Sequence, residues 1–308
     1  MKRTLILVPL GMVLVAWAPS ALAQRDLGAV VVRAERVADG LWMLSGAGGN
    51  IGLCAGGGEA LMIDAEYGPL VPRIRAVADS LTGGAPVRFV LNTHYHGDHV
   101  NGDSAMAAAG ASIVAHENVR ARMSVTQRNA AFDMTIPPAP ERALPVLTFT
   151  DSIGFHLGGR EVRVFHLPPA HTDGDAVAWF PVLDALHTGD LFFNGMYPVI
   201  DASAGGSIDG MIRAVDLLLP LTGPATKIIP GHGPLGDRAA LLRYRDMLVA
   251  VRDRVRPLVR GGKTLDEIIA AKPTADLDAT WGRSRPPDRF LRMVVLGMTA
   301  GTGGAKPK

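Results

Sequence analysis

Apolar positions in the first half of the chain come in short blocks broken by glycine-rich turns, a strand-like pattern. Residues 30–37 and 41–45, split by Asp39-Gly40, predict one β-hairpin. Residues 51–54 and 60–63, flanking Gly56-Gly57-Gly58, predict a second. Residues 69–81 predict a helix, and the apolar run 87–91 a buried strand that feeds directly into Asn92-Thr93-His94. A helix at 105–109, a strand at 112–115 and a helix over 117–129 follow, and Pro137, Pro138 and Pro140 mark a long loop. The second half repeats the style, with strands at 152–156, 161–166, 176–180, 185–188 and 227–229. Ser207 stands where it can cap a helix whose apolar positions are Ile208, Met211, Ile212, Val215 and Leu219. Leu241, Tyr244, Leu248, Val251, Val255 and Leu258 form one further helical stripe, of the kind that packs a core. Strands followed by helices, twice over, predict an α+β chain with two sheets covered by helices. No Pro/Ser-rich linker divides residues 24–300, which read as one domain, and the tail 301–308 is expected to be mobile.

The first 23 residues read differently. Lys2 and Arg3 precede an apolar stretch from Leu5 to Ala18, too short to span a bilayer comfortably at about 20 residues. Ala21-Leu22-Ala23 has the A-x-A form of a signal-peptidase site, which predicts cleavage before Gln24 and a location in the periplasm or outside the cell, with no membrane attachment afterwards. The 308 residues carry a formal charge of +2. Loss of Lys2 and Arg3 leaves the remainder neutral, which argues against nucleic acid as a partner and points to a small-molecule substrate. Cys54, the single cysteine, excludes an internal disulfide and any multi-cysteine zinc site, and reads as a small buried residue.

The chemistry is concentrated in histidine. Three of the nine histidines fall in His94-Tyr95-His96-Gly97-Asp98-His99, directly after a strand. His171 follows Pro168-Pro169-Ala170, Asp190 follows a strand in Thr188-Gly189-Asp190, and His232 follows another in Gly231-His232-Gly233. Ligands at strand ends are held by a rigid sheet and reach a shared cleft. Imidazole and carboxylate donors suit zinc, and also iron or manganese. Seven such groups exceed one coordination sphere and suit two metals. His116, His156, His166 and His187 lack this context and read as structural.

The spacing H-x-H-x-D-H, present as His94, His96, Asp98 and His99, resembles the metallo-β-lactamase superfamily, with His171, Asp190 and His232 at the later family positions. The resemblance covers roughly residues 30–255, with helices continuing to about 299. It implies a four-layer αβ/βα sandwich with the metals at one edge. His94, His96 and His171 would bind one zinc ion and Asp98, His99 and His232 a second, with Asp190 bridging and Asp64 orienting ligands from behind. It also implies that a metal-activated hydroxide, positioned by Asp98 as the catalytic residue, attacks a carbonyl carbon. One departure matters. The well-known zinc β-lactamases with three histidines at the first metal carry a cysteine near position 190, whereas the aspartate here looks more like glyoxalase II, lactonases and their relatives.

These features predict an exported dinuclear zinc hydrolase acting on a β-lactam, a lactone or another ester. A glyoxalase II-like thioesterase, or a metal-binding accessory protein of a periplasmic quinoprotein system, are the alternatives. Phe192, Phe193, Asn194 and Tyr197 are candidates to line the pocket, with Asn194 or Tyr197 as a possible oxyanion donor, and residues 46–50 a candidate loop over the site.

Overall fold

A computed structural model describes residues 27–130 and 132–300. The expected signal segment 1–23 and tail 301–308 lie outside the described residues. No helix among the described residues is long and apolar enough to cross a membrane.

The first sheet runs β1 (Arg33–Ala38), β2 (Leu41–Ser45), β3 (Ile51–Gly56), β4 (Glu59–Ile63), β5 (Val87–Leu91), β6 (Ser112–His116) and β9 (Leu147–Phe149), in that spatial order. β1 to β4 pair antiparallel, and β4-β5-β6-β9 pair parallel. A separate hairpin joins β7 (Gln127–Asn129) to β8 (Met134–Ile136). The second sheet runs β10 (Ser152–Leu157), β11 (Arg160–His166), β12 (Ala176–Phe180), β13 (Ala185–His187), β14 (Lys227–Ile229) and β15 (Gly236–Asp237); only its β13–β14 pair is parallel.

Period-two alternation sorts the strand residues into layers. In β4, Leu61 and Ile63 join a core that also holds Val162, Val164, Ala178 and Phe180 of the opposite sheet. Ala60 and Met62 of the same strand face the other way, onto Val71 and Ile74 of α1 (Val71–Thr82) and Met106 of α3 (Asp103–Ala108). On the second sheet Ala185 and Ile229 face inward. Leu186 and Ile228 face outward, onto α5 (Ile208–Leu218), α6 (Arg238–Arg260) and α9 (Pro287–Ala300). The layers are therefore helix, sheet, sheet, helix, as the resemblance implied. Cys54 lies in the inter-sheet core, where burial pushes its thiol pKa up to about 11. Ser207 caps α5 by accepting from the Gly210 amide.

The expected helix over 117–129 stops early. α4 (Glu117–Met123) ends where Ser124 begins a polar, β-branched stretch, and Gln127–Asn129 pair with β8 instead. The Asn129 amide reaches Asp201, a tertiary contact that holds this hairpin across the second half of the molecule. β9, also unforeseen, extends the parallel part of the first sheet within the proline-marked region.

Candidate metal centre

The seven candidate ligands leave their strands on one edge of the sandwich. β5 ends at Leu91; the next amides are taken by Val114 O, from Asn92, and by the Asp64 carboxylate, from Thr93, so the chain turns out of the sheet at His94. The chain bends through His94 and Tyr95, His96 is extended, and a single turn, α2 (Gly97–Val100), then carries Asp98 and His99. The loop after β11 is folded on Asp175, whose carboxylate accepts from the amides of His171 and Thr172 and from the Thr172 hydroxyl. Asp190 follows β13 and His232 follows β14. These two loops lie against each other: a Cβ at Gly231 would fall 2.0 Å from Asp190 Oδ1, so only glycine permits the approach.

The donor atoms fall into two groups, each within 4.8 Å: His94, His96, His171 and Asp190 in one, Asp98, His99 and His232 in the other. Asp190 stands between them. Its Oδ2 is 3.5 Å from His171 Nε2 and 3.7 Å from His94 Nε2. Its Oδ1 is 3.1 Å from His99 Nε2 and 3.4 Å from His232 Nε2. Asp98 Oδ2 lies 3.3 Å from His232 Nε2, and its side chain, 30% exposed, is the most open carboxylate of the cluster.

Four imidazoles have their far nitrogen occupied, which fixes the tautomer and aims the near lone pair inward. His171 Nδ1–H donates to Val199 O at 2.8 Å, and His96 Nε2–H donates to Asp201 Oδ2 at 3.0 Å. His99 Nδ1–H donates to Asp64 Oδ2 at 2.7 Å. His94 Nδ1–H donates to Thr93 Oγ1, whose own proton goes to Asp64. As a result His171 Nε2 and His96 Nδ1 present lone pairs to each other at 2.9 Å, and His94 Nε2 and Asp190 Oδ1 are buried without a hydrogen bond. Facing lone pairs and orphaned acceptors in a buried site cost free energy unless a cation sits among them. The residues present thus fit two divalent metals, and nitrogen–oxygen donors of this kind suit zinc, iron or manganese alike.

The electrostatics divide the two groups: the first holds the neutral imidazoles of His94 and His171, whereas Asp190, Asp64 and Asp98 overcome burial and hold His99 well above the usual imidazole range, so that a cation binding there displaces a proton. Burial, reinforced by the neighbouring His99, holds His94 well below the usual imidazole range, and burial takes His171 down to about 4, so both are neutral ligands. Burial also opposes ionisation of Asp190, but His232, His99 and His94 outweigh it and keep the carboxyl well below its ordinary range. His232 is pushed the opposite way, up to about 9, because Asp190 and Asp98 overcome its desolvation.

Asp64 sits where expected, behind His99 and Thr93. Residues 46–50 abut the site: the Gly49 amide donates to Asp98 O, and a Cβ on Gly49 would lie 2.1 Å from the His99 ring. Three of the pocket candidates require correction. Phe192, Phe193 and Tyr197 are fully buried in the core; Phe193 stacks on the His232 ring at 5.1 Å and backs it rather than lining an open pocket. The expected oxyanion donors are committed elsewhere: the Tyr197 hydroxyl donates to Asp278 and the Asn194 amide to Pro234 O. His187 is buried between Asn50 O and the Gly189 amide, beside the site but in neither donor group, and His116 stacks on His166 at 3.9 Å.

Sequence reasoning missed three supporting residues. Asp201 Oδ2 accepts from Tyr95, His96 and Asn129 at once. Glu66 accepts from the amides of Ala47 and Gly48 and pins the 46–50 loop. Asp175 builds the His171 turn, and of the three only it had a local signal, the Thr172-Asp173-Gly174-Asp175 turn composition.

Residues 44–232 match the family model described as the metallo-beta-lactamase superfamily. The chain is 25% identical over 159 residues to a type 2 metallo-beta-lactamase of Bacillus cereus, covering 52% of this chain and 57% of that one. It is 32% identical over 181 residues to a hydroxyacylglutathione hydrolase of Methylococcus capsulatus, covering 58% of each. It is 27% identical over 268 residues to a probable metallo-hydrolase of Burkholderia pseudomallei, covering 80% of this chain and 86% of that one. It thus spans a little over half the length of the first two. Among solved structures, a metallo-beta-lactamase from Pontibacter korlensis superposes with a TM-score of 0.59 at 18% identity, covering 71% of this chain and 99% of that one. DIM-1 metallo-beta-lactamase gives 0.57 at 19%, covering 71% and 98%. With the family model matched over more than half its length, and with this fold and this double cluster of donors, the chain belongs to the metallo-β-lactamase superfamily.

Proposed function

We propose that the protein is a dinuclear metallohydrolase that cleaves a small carbonyl substrate, either a cyclic amide, a lactone or other ester, or a thioester. The observation that carries this reading is the pair of lone-pair clusters on the two sides of one buried carboxylate, Asp190. In this reading His94, His96 and His171 hold one metal, Asp98, His99 and His232 the other, and Asp190 serves both. Two divalent cations bound there would supply Lewis acidity toward a carbonyl oxygen and acidify water toward neutral pH. Asp98, the open carboxylate, accepts a hydrogen bond from the attacking water and orients it. Asp64 and Asp201 keep the imidazoles in the ligating tautomer. The Gly49 loop, fastened to Asp98 O, closes one wall.

The substrate classes rank by observation. Asp190, where a cysteine would be expected in the best-known three-histidine β-lactamases, favours an ester or thioester, and the similarity to hydroxyacylglutathione hydrolases points the same way. The similarity to type 2 metallo-beta-lactamases keeps the cyclic amide in the set. We also take residues 1–23 as an export signal, on the basic n-region and the Ala21-Leu22-Ala23 site. The test is elemental analysis of the purified protein, then turnover on β-lactam, lactone, thioester and phosphodiester chromogens. We expect about two metal ions per chain and turnover of at least one carbonyl substrate. Folded protein with two metals and no turnover on any of them would refute the hydrolase reading.

A further inference from the structure

Four of the seven candidate ligands stand on one loop, which leaves the first sheet after β5 and ends where α3 begins. Asn92 lies on one side of its neck and Asp103, the first residue of α3, on the other. Their side chains meet there: Asn92 Nδ2–H donates to Asp103 Oδ1 at 3.1 Å. Backbone bonds fix the same place, from Asn92 N to Val114 O and from Gly102 N to Glu66 O. A Cβ on Gly102 would fall 2.1 Å from Ala65 O, so the neck is packed tightly against the end of β4. The Asn92–Asp103 pair thus joins the two ends of the loop directly.

Both side chains are fully buried, and each has an oxygen with nothing to bond, Asn92 Oδ1 and Asp103 Oδ2. Orphaned acceptors also occur at His94 and Asp190, where a cation accounts for them. That account fails at the neck, because Asp103 belongs to neither donor group. As a carboxylate, Asp103 would leave two buried oxygens uncompensated. It would also face Asp64, whose own oxygens are committed to Thr93 and His99. One proton removes both costs. Placed on Asp103 Oδ2 and donated to Asn92 Oδ1, it closes a ring in which acid and amide each give one hydrogen bond and take one. Burial raises the Asp103 pKa well above the usual carboxylate range, by more than the Asn92 bond lowers it, and the charge of Asp64 adds to the rise.

We propose that Asp103 is held as a neutral carboxylic acid, joined to the Asn92 amide by a pair of hydrogen bonds, and that this clasp positions the loop bearing His94, His96, Asp98 and His99. The positioning role rests on the metal centre read above. A neutral clasp closes the loop without setting a second anion beside Asp64, whose charge orients His99. Asp103 is a positioning residue and takes no part in bond cleavage. Because the loop serves both donor groups, loosening it should weaken both ions, unlike a change at Asp201, which bonds to His96 alone among the ligands.

The experiment takes the metal-loaded full chain as wild type, Asp103→Asn and Asp103→Ala. Infrared difference spectra at neutral pH read the acid. Wild type minus Asp103→Asn should show the carbonyl stretch of a protonated carboxyl, in loaded and metal-free protein alike. Carboxylate bands in its place would overturn the proposal. Competition against a chromophoric chelator reads the clasp. Groups that hold a ligand directly are worth roughly 10- to 100-fold, so a group one step further out should stand at the lower end, and Asp103→Ala should weaken each ion about tenfold. Asp103→Asn keeps both bonds as an amide pair and should stay within about twofold of wild type. Undiminished affinity in Asp103→Ala, an equal loss in Asp103→Asn, or a loss confined to one ion would each overturn the clasp. If Asp103→Ala does not fold, the exchange of Asn92→Asp with Asp103→Asn carries the test. Acid and amide then trade places in the same ring, both ions should bind as in wild type, and a loss at either would overturn the clasp. Wild type that binds no metal would count against the metal centre alone, since the infrared bands still decide the state of Asp103.

Discussion

Replacing Asp190 by alanine removes the one anion that both donor groups share. The side chain is 3% exposed, with one oxygen toward His171 and His94 and the other toward His99 and His232. Asp98 would then be the only carboxylate left among the ligands. A unit charge pair at about 4 Å is worth roughly 4 kcal/mol at the effective dielectric of about 20 that suits such sites. At about 1.4 kcal/mol per decade this is close to a thousandfold in affinity. Water entering the vacated position returns part of that, but the loss should still exceed the roughly 10- to 100-fold typical of groups that merely support a ligand. The fold should survive, because the variant clears space against Gly231 and leaves the backbone bond from Gly231 N to Gly189 O in place. Asp190→Asn keeps the shape and separates charge from volume. Competition against a chromophoric chelator reads both dissociation constants, with Cys54→Ser, buried in the inter-sheet core, as the control that leaves them unchanged. If Asp190→Ala binds both ions as tightly as wild type, or if Cys54→Ser strips one, the assignment of the centre is wrong.

Asp201→Asn should weaken the ion at the three-histidine group about 10- to 100-fold with the fold intact, since His96 loses its anionic anchor; equal affinities in chelator titration would refute this. Gly49→Ala places a methyl group 2.1 Å from the His99 ring and should lower metal content toward one ion per chain by elemental analysis, and a stoichiometry held at two would contradict it. His187 has a pKa of about 4 in the folded state, lowered by burial, against about 6.5 unfolded. Between those values the unfolded chain holds the proton and the folded chain does not, so stability is present above pH 6.5 and is lost as pH falls toward 4. In metal-free protein, urea midpoints at pH 7 and pH 5 should show His187→Gln losing about 2 kcal/mol less than wild type over that interval.

How much was legible depended on whether the cause was local. The strands at Val87–Leu91 and Ala176–Phe180 appear at the expected boundaries: in the second nearly every residue is buried, and in the first the turn residues before it and the buried pair Val90 and Leu91 at its end fix the limits. The seven donors fall into two groups on the loops that leave β5, β11, β13 and β14, and the short distance from each strand end is the local cause that the sequence displays. The helix expected over 117–129 fails past Met123 because Gln127-Arg128-Asn129 carry no period of their own; pairing with β8 and the bond to Asp201 decide their state. Asp201 gives no signal at all, being more than 100 residues from His96 along the chain, with no motif around it. Asn194 and Tyr197 donate away from the site for a related reason: proximity to Asp190 in sequence does not set which distant acceptor, Pro234 O or Asp278, a side chain finds.

The distribution of ligands over the two sheets has a consequence for stability. His94, His96, Asp98 and His99 come from the edge of the first sheet, and His171, Asp190 and His232 from that of the second. Each donor group takes members from both, so neither half can complete either group. Any ion bound there therefore fastens the two sheets together at the edge where the inter-sheet core gives way to polar side chains. Because the assembled site exists only in the folded chain, binding contributes to folding by RT ln(1 + [M]/Kd), about 4 kcal/mol per ion at a thousandfold excess over Kd. Stripping both ions with a chelator should lower the thermal midpoint by several degrees, to the order of 10 °C in a chain of this size. Asp190→Ala should show a lower midpoint in metal and a smaller further drop on chelation. A midpoint that does not move when both ions leave wild type would mean that the ions bind the folded and unfolded chains alike, and would refute a site assembled by folding.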